Sequence, residues 1–155
     1  MQSVLYIDIE TRSRVDLKKT SVYRYVNDDD FLILMAAWSL DNSPVQIALS
    51  ADEIAAIPGL WDPDVIKVAH NAQFERVCFS RFRAKRYNRS GTEFLPPHEW
   101  RDTMAIAAEH GLPRSLEMLG RALGGERKDK SGTDLVRLFC RPNRSGGWNG
   151  PHTHP

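Results

Sequence analysis

The sequence predicts an α/β domain in which helices flank a mixed β-sheet. Two observations carry this prediction. Apolar runs of strand length come first along the chain, and capped or amphipathic helical segments make up most of the rest. The 155 residues, 41% of them hydrophobic and 26% charged, are enough for one domain with a substantial core.

Four segments have the length and composition of β-strands, namely residues 4–11, 31–40, 45–49 and 65–69. The first is rich in branched residues, and the second is a continuous apolar run that suits a buried strand. Between the second and third segments, the sequence Asp41-Asn42-Ser43-Pro44 is typical of a turn and predicts a hairpin.

We expect one helical turn near residues 16–19 and helices over residues 51–57, 72–86, 103–109, 115–123 and 133–140. Ser50 and Ser115 are suited to cap two of these helices, and glycines follow several helix ends. The helix over residues 72–86 carries an apolar stripe made of Phe74, Val77, Cys78 and Phe82. Residues 88–97 are predicted to form a loop.

The first strand, VLYIDIET, carries two acids on a segment that otherwise resembles core. Because side chains alternate between the faces of a strand, Asp8 and Glu10 share one face with Tyr6. The opposite face carries Leu5, Ile7 and Ile9. We expect both carboxylates to lose water and repel each other, which Mg²⁺ or Mn²⁺ would relieve. A solvated strand end is the alternative, since acid-x-acid spacing recurs in loop sequence at residues 28–30 and 62–64.

Charge is unevenly distributed, although the formal net charge is only +1. Residues 76–92 contain no acid and six cations, namely Arg76, Arg81, Arg83, Lys85, Arg86 and Arg89. Such a run is either a solvated helix face or a surface that contacts the phosphates of nucleic acid. Under the second interpretation the candidate contacts are Arg83, Lys85 and Arg86.

A second candidate site is the sequence HNAQFE, where the predicted strand over residues 65–69 meets the helix over residues 72–86. Glu75 lies four residues after Asn71, one position beyond the acid of a capping box. It is therefore either an acid favoured by the helix dipole or a functional carboxylate. His70 faces the strand-to-helix turn, where we expect it to form a hydrogen bond and not to bind metal.

Taken together, the segments DIET and HNAQFE resemble the proofreading 3′–5′ exonuclease domain of DNA polymerases, a DEDD nuclease of the ribonuclease H-like fold. Asp8 and Glu10 match the first family motif, Asp-x-Glu. Asn71, Phe74 and Glu75 match the second, in which Asn is followed by an aromatic residue and an acid. Residues 102–104, 112–124 and 128–142 are similar to the exonuclease region of bacteriophage-type family A polymerases. The resemblance implies a ribonuclease H-like domain over residues 1–142, followed by an irregular tail over residues 143–155.

The sequence departs from the family pattern at two points. The acid of the second motif is usually Asp, whereas Glu75 is one methylene longer. The third motif, Tyr-x-x-x-Asp on a late helix, does not follow the second, because this spacing occurs only at Tyr25 to Asp29. We therefore expect a domain truncated before the third motif, without the polymerase region of full-length relatives.

The resemblance implies hydrolysis of the 3′-terminal phosphodiester of single-stranded DNA with two divalent ions, Mg²⁺ or Mn²⁺. It implies that Asp8 bridges both ions, that Glu10 binds one, and that Glu75 acts mainly through metal-bound water. Thr11 and Asn71 match positions near the terminal nucleotide. Phe74 either borders the bound strand or belongs to the core.

Two other functions stay open, namely an inactive remnant that binds single-stranded DNA and a DEDD ribonuclease acting on RNA. No apolar run reaches the roughly 20 residues of a membrane span, and no secretory pattern is visible. Cys78 and Cys140 lack zinc-site spacing, so we expect reduced thiols. We expect a cytoplasmic protein of a bacterial or phage-infected cell, with no membrane partner.

Overall fold

The computed structural model describes residues 2–88, 93–125 and 131–149. Arg89 of the basic run and residues 150–155 of the predicted tail lie outside this part of the chain. Its strands are β1 (Val4–Arg12), β2 (Leu32–Leu40), β3 (Gln46–Ala48), β4 (Ile66–Ala69) and β5 (Trp100–Asp102). Its helices are α1 (Val22–Val26), α2 (Ala51–Ala55), α3 (Ala72–Arg86), α4 (Thr103–Glu109), α5 (Leu116–Ala122) and α6 (Ser131–Phe139).

The strands form one five-stranded sheet in the order β3-β2-β1-β4-β5. The pairs β1–β2 and β2–β3 are antiparallel, whereas β1–β4 and β4–β5 are parallel. The sheet is therefore mixed, and helices flank it. This architecture confirms the predicted α/β class and is consistent with a ribonuclease H-like fold.

The predicted strands and the five predicted helices are all present, each within two residues of its expected ends. The helical turn expected near residues 16–19 is instead a hydrogen-bonded turn, in which Lys19 N–H donates to Asp16 O at 3.0 Å. The short helix α1 follows it and was not predicted. Strand β5 was also missed, because three residues are too few to show the alternation that identifies a strand.

Local chemistry explains the β2–β3 hairpin and the start of α2. Asp41 and Asn42 have positive φ angles of 50° and 61°, and Ser43 N–H donates to Leu40 O at 2.9 Å. A two-residue turn with both central residues in this region matches the twist of the paired strands. At α2, the Ser50 hydroxyl accepts the N–H of Glu53, whose carboxylate accepts the N–H of Ser50, as in a capping box.

The main core lies on one face of the sheet, beneath α2 and α3. Leu5, Ile7 and Ile9 of β1 are exposed by only 0%, 5% and 6%, as the predicted alternation requires. They belong to one cluster with buried residues of the two helices, including Ile54, Val77, Cys78, Phe79 and Phe82. The opposite face of β1 is therefore available for other contacts.

One charged pair lies inside this core. Lys67 of β4 pairs with Leu5 in the sheet and has no exposed surface. Its ammonium group lies 3.0 Å from Glu99 Oε2 and donates to Asp62 O at 2.5 Å. A buried charge of this kind is tolerated only when it is paired and hydrogen-bonded. In the part of the chain described above, no helix is long and apolar enough to cross a membrane.

Candidate active site

The two acids of β1 lie on the face opposite the main core, as the alternation predicts. Asp8 is exposed and Glu10 is half-buried, while Ile7 and Ile9 between and beside them are buried. The expectation that both carboxylates lose their water is therefore wrong for Asp8. The burial of Asp8 therefore does not require a cation there.

The register of β1 and β4 brings a third acid to Asp8. Leu5 pairs with Lys67 and Tyr6 with Val68, and β4 ends one residue later at Ala69. The chain therefore leaves the sheet level with the middle of β1. Helix α3 starts at Ala72, so Glu75 in its first turn lies close enough to Asp8 for their charges to interact.

Glu75 is a buried acid with an unsatisfied oxygen. Its side chain is 3% exposed, and its Oε2 atom has no hydrogen-bond partner among the described residues. Burial, with smaller contributions from the negative charges of Asp8 and Asp102, raises the pKa of the Glu75 carboxyl from 4.5 to about 8. A positive charge beside this group would favour its ionised form.

These three carboxylates suit Mg²⁺ or Mn²⁺ in the chemistry of their donor atoms, since both ions prefer oxygen. The orphaned Oε2 of Glu75 is an oxygen that such an ion would satisfy. Across residues 2–88, 93–125 and 131–149, however, no three His, Cys, Asp or Glu side chains are grouped closely enough to enclose an ion. An ion at this place would have at most two of these side chains as direct ligands and would take its other ligands from water and phosphate oxygens, as Mg²⁺ commonly does.

The junction before α3 is fixed by Asp102, the last residue of β5. Asn71 adopts a left-handed conformation with φ 72° and ψ 50°. Its backbone N–H donates to Asp102 Oδ1 at 2.9 Å, and the same oxygen caps α4 through Met104 N–H. His70 forms ring hydrogen bonds with Thr103 Oγ1 at 3.0 Å and Arg114 O at 2.8 Å, which confirms the expected hydrogen bonding.

A large cleft opens beside the β1 acids, between the sheet and α6. Its volume is about 890 Å³, which is within the range of small-molecule sites. Asp8 and Glu10 are among its lining residues, although its walls are mostly apolar. The apolar side chains of β2 and α6 that line it include Leu32, Leu34, Met35, Leu135, Val136 and Phe139.

The segment after α6 packs against the end of β1 next to this cleft. Cys140 Sγ lies 3.8 Å from Glu10 Oε2, and burial together with the charge of Glu10 raises the pKa of the thiol to about 11. The Trp148 ring lies under the guanidinium of Arg12 at 4.7 Å, a cation–π distance. Arg14 also donates to Gly146 O at 2.7 Å. No local pattern in the sequence indicates these contacts.

The predicted contacts to the terminal nucleotide differ in accessibility. Asn71 is exposed, directly before the helix that carries Glu75. The Thr11 side chain is buried, and its hydroxyl shares a 2.9 Å hydrogen bond with Tyr25 OH. Phe74 is half-buried, and its ring centroid lies 6.0 Å from that of Tyr25. Phe74 therefore packs against the core, which is one of the two interpretations of this residue. Contact between Thr11, Asn71 or Phe74 and nucleic acid stays a prediction.

The predicted phosphate contacts lie near the other end of α3 from Glu75. Arg86 forms an ion pair of 2.6 Å with Asp52, and Lys85 donates to backbone carbonyls of the loop before β2, including Asp29 O at 3.2 Å. The Arg83 guanidinium lies 5.9 Å from the Trp61 ring. The structure therefore does not bring these cations together with Asp8, and their contact with nucleic acid also stays a prediction.

Comparison with known proteins relates the chain to one class of enzyme. It is 40% identical over 151 residues to a DNA polymerase of Bacillus phage SP02. The alignment covers 92% of this chain but only 22% of that polymerase. No family model matches the sequence, and no solved structure matches it either. Over nearly its whole length, the chain is therefore a domain related to part of a phage DNA polymerase.

Proposed function

We propose that this chain is a 3′–5′ exonuclease domain that removes nucleotides from the 3′ end of single-stranded DNA during proofreading. The observation that carries the proposal is the buried Glu75 carboxylate, which the β1–β4 register brings beside Asp8. Structural acids on a first helical turn are normally solvated or hydrogen-bonded, whereas Glu75 Oε2 has neither arrangement within the described chain. Perturbed acids of this kind cluster at functional sites.

In this proposal Asp8 and Glu10 hold Mg²⁺ or Mn²⁺ beside the large cleft, and Glu75 acts mainly through metal-bound water. The bound ions would neutralise charge on the phosphate and activate water for in-line attack. Asp8 is exposed, so a phosphodiester can reach it from solvent. Glu75 is held in the first turn of a 15-residue helix, which keeps its carboxylate fixed relative to β1. Asn71 offers an exposed amide near the terminal nucleotide.

The cleft supports an unpaired end as the substrate. An unpaired base can leave its strand and enter an apolar site, whereas a paired base is held in the stack. The mostly apolar walls beside Asp8 and Glu10 suit the faces of such a base. The relationship to a DNA polymerase favours DNA over RNA as the strand.

A non-catalytic domain that binds single-stranded DNA is the second candidate. The observation in its favour is that no three potential metal ligands are tightly grouped in the described part of the chain. Under this alternative the cleft would still bind an unpaired strand, but divalent ions would not lead to hydrolysis.

The test is hydrolysis of single-stranded DNA and RNA of matched sequence, each labelled at the 3′ or the 5′ end, with Mg²⁺ or Mn²⁺. We expect immediate release of the 3′ label as mononucleotide from DNA, and loss of this release in Asp8→Asn. Asp64→Asn is the matched control, because Asp64 is an exposed acid in another acid-x-acid sequence. Preference for RNA would favour a ribonuclease, and metal-independent binding without release would favour the non-catalytic domain.

A further inference from the structure

A second, smaller cleft adjoins Asp8 on the side away from α6. Its volume is about 290 Å³, and its lining includes Tyr6, Asp8, Ala37, His70 and Thr103. Asp8 and Ala37 also line the large cleft. The exposed carboxylate that we assign to the metal site therefore lies between two adjoining clefts on one face of the sheet.

Tyr6 presents an accessible aromatic ring in the smaller cleft. It shares a strand face with Asp8, two residues away, which corresponds to about 7 Å along a β-strand. The side chain is 42% exposed although β1 is the central strand of the sheet. Its sheet partners are Ser39 and Val68, and the Ser39 hydroxyl turns away to donate to Ser43 O at 2.6 Å. Small neighbours thus leave the ring open to solvent.

Two other residues that line the smaller cleft, His70 and Thr103, are held by hydrogen bonds. Both ring nitrogens of His70 are engaged, one with Thr103 Oγ1 and the other with Arg114 O. The Thr103 hydroxyl also donates to Ala69 O at 3.3 Å. His70 is therefore suited to shape the cleft and not to bind a ligand through a free nitrogen.

We propose that Tyr6 stacks on the base of the penultimate nucleotide of the bound strand. This inference rests on the proposed function and extends it by one nucleotide. The terminal base occupies the large cleft, and the preceding base lies on the Tyr6 ring. The phosphodiester between these two nucleotides lies next to the Asp8 carboxylate. The occupant is single-stranded DNA because the smaller cleft is continuous with the site proposed for its 3′ end.

Stacking on an aromatic side chain tolerates every base, since each base has a π face. It requires an unpaired nucleotide, however, because a paired base is already stacked in its duplex. Tyr6 would therefore contribute to the choice of a single strand over a duplex, and contribute little to base preference. This is the selectivity that removal of a frayed 3′ end requires.

The test measures binding of short single-stranded oligonucleotides, with Ca²⁺ as the divalent ion, by fluorescence anisotropy of a 5′ dye. One oligonucleotide is complete and the other lacks the penultimate base. We expect Tyr6→Ala to bind the complete strand about 5- to 150-fold more weakly, from typical losses on removing a stacking aromatic. Tyr6→Phe should bind it as the wild type does. Neither Tyr6→Ala nor Tyr6→Phe should change the affinity for the strand that lacks the penultimate base.

Phe94→Ala is the matched control, because Phe94 is 42% exposed, as Tyr6 is, and lines neither cleft. Equal weakening of both oligonucleotides by Tyr6→Ala would overturn the proposal, as would no weakening of either. Hydrolysis of the same oligonucleotides with Mg²⁺ separates this inference from the proposed function. Binding that depends on Tyr6 without any hydrolysis would support the stacking site and contradict the exonuclease function. Hydrolysis with binding that does not depend on Tyr6 would support the exonuclease function and contradict the stacking site.

Discussion

The backbone N–H of Asn71 donates to Asp102 Oδ1 at 2.9 Å, so the end of β5 holds the residue directly before α3. The same oxygen accepts Met104 N–H and caps α4. One carboxylate thus fixes two strand-to-helix junctions, at the carboxyl ends of two neighbouring parallel strands. Since Glu75 lies in the first turn of α3, its position relative to Asp8 depends on this junction.

Replacing Asp102 with alanine should remove both hydrogen bonds and lower the free energy of unfolding by about 1–2 kcal/mol. Asp102→Asn should recover most of this loss, because asparagine is an equally good N-cap. Urea denaturation measures both variants. Equal stability of Asp102→Ala and the wild type would contradict the role given to this carboxylate.

The buried pair of Lys67 and Glu99 predicts a non-additive effect on stability. Lys67→Met should lower the free energy of unfolding by about 3–5 kcal/mol, because Glu99 would be left as an unpaired buried charge. The double variant Lys67→Met/Glu99→Gln should be more stable than Lys67→Met alone. Urea denaturation of the single and double variants tests the pair, and additive losses would show that the two side chains are not coupled.

Glu75 predicts that stability without metal falls as pH rises. Its pKa is about 8 in the folded protein and 4.5 when unperturbed, so between these values the folded state holds a proton that the unfolded state has lost. The free energy of unfolding should therefore decrease by up to about 1.4 kcal/mol per pH unit from pH 4.5 to pH 8, and level off above. Below pH 4.5 Glu75 is protonated in both the folded and the unfolded state, so its full contribution to the free energy of unfolding is present.

The pH effect is measured by urea denaturation in EDTA. Glu75→Gln cannot ionise, so its stability should lack this part of the slope, and the variant should exceed the wild type near pH 8. A wild-type slope that Glu75→Gln retains would show that another group causes it.

The basic residues of α3 predict a salt effect on DNA binding. Each phosphate contact releases counterions, so Arg83→Gln/Arg86→Gln should flatten the dependence of log affinity on log salt concentration. Lys85 is left unchanged, because replacing it would also remove its hydrogen bonds to loop carbonyls. A change in DNA affinity could then come from a change in stability. Lys18→Gln/Lys19→Gln removes the same charge from exposed positions and is the control. Equal slopes in both double variants would mean that Arg83 and Arg86 serve only their intramolecular contacts.

Local patterns predicted the elements and the two faces of β1 well. The alternation of Leu5, Ile7 and Ile9 with Tyr6, Asp8 and Glu10 follows directly from strand geometry. Ser50 and the Asp41-Asn42 turn also carry local chemistry, so the helix start and the hairpin could be placed. Helix α1 could not, because it has only five residues and its buried Tyr25 and Val26 are explained by packing on α3.

Long-range features of the site were beyond these patterns. That Glu75 approaches Asp8 depends on the β1–β4 register, which joins segments about 60 residues apart. The contact of Trp148 with Arg12 crosses most of the chain. The family resemblance identified Glu75, but only the structure shows that its carboxylate is buried and short of a partner in the described chain.

A thermal shift with Mn²⁺ tests most directly whether Asp8 and Glu10 bind a divalent ion, with Glu75 acting through its bound water. A ligand that binds only the folded state raises its melting temperature. We expect Mn²⁺ to raise the melting temperature of the wild type and of the control Asp64→Asn. The shift should be lost in Asp8→Asn and reduced in Glu10→Gln and Glu75→Gln. An undiminished shift in Asp8→Asn would contradict the account.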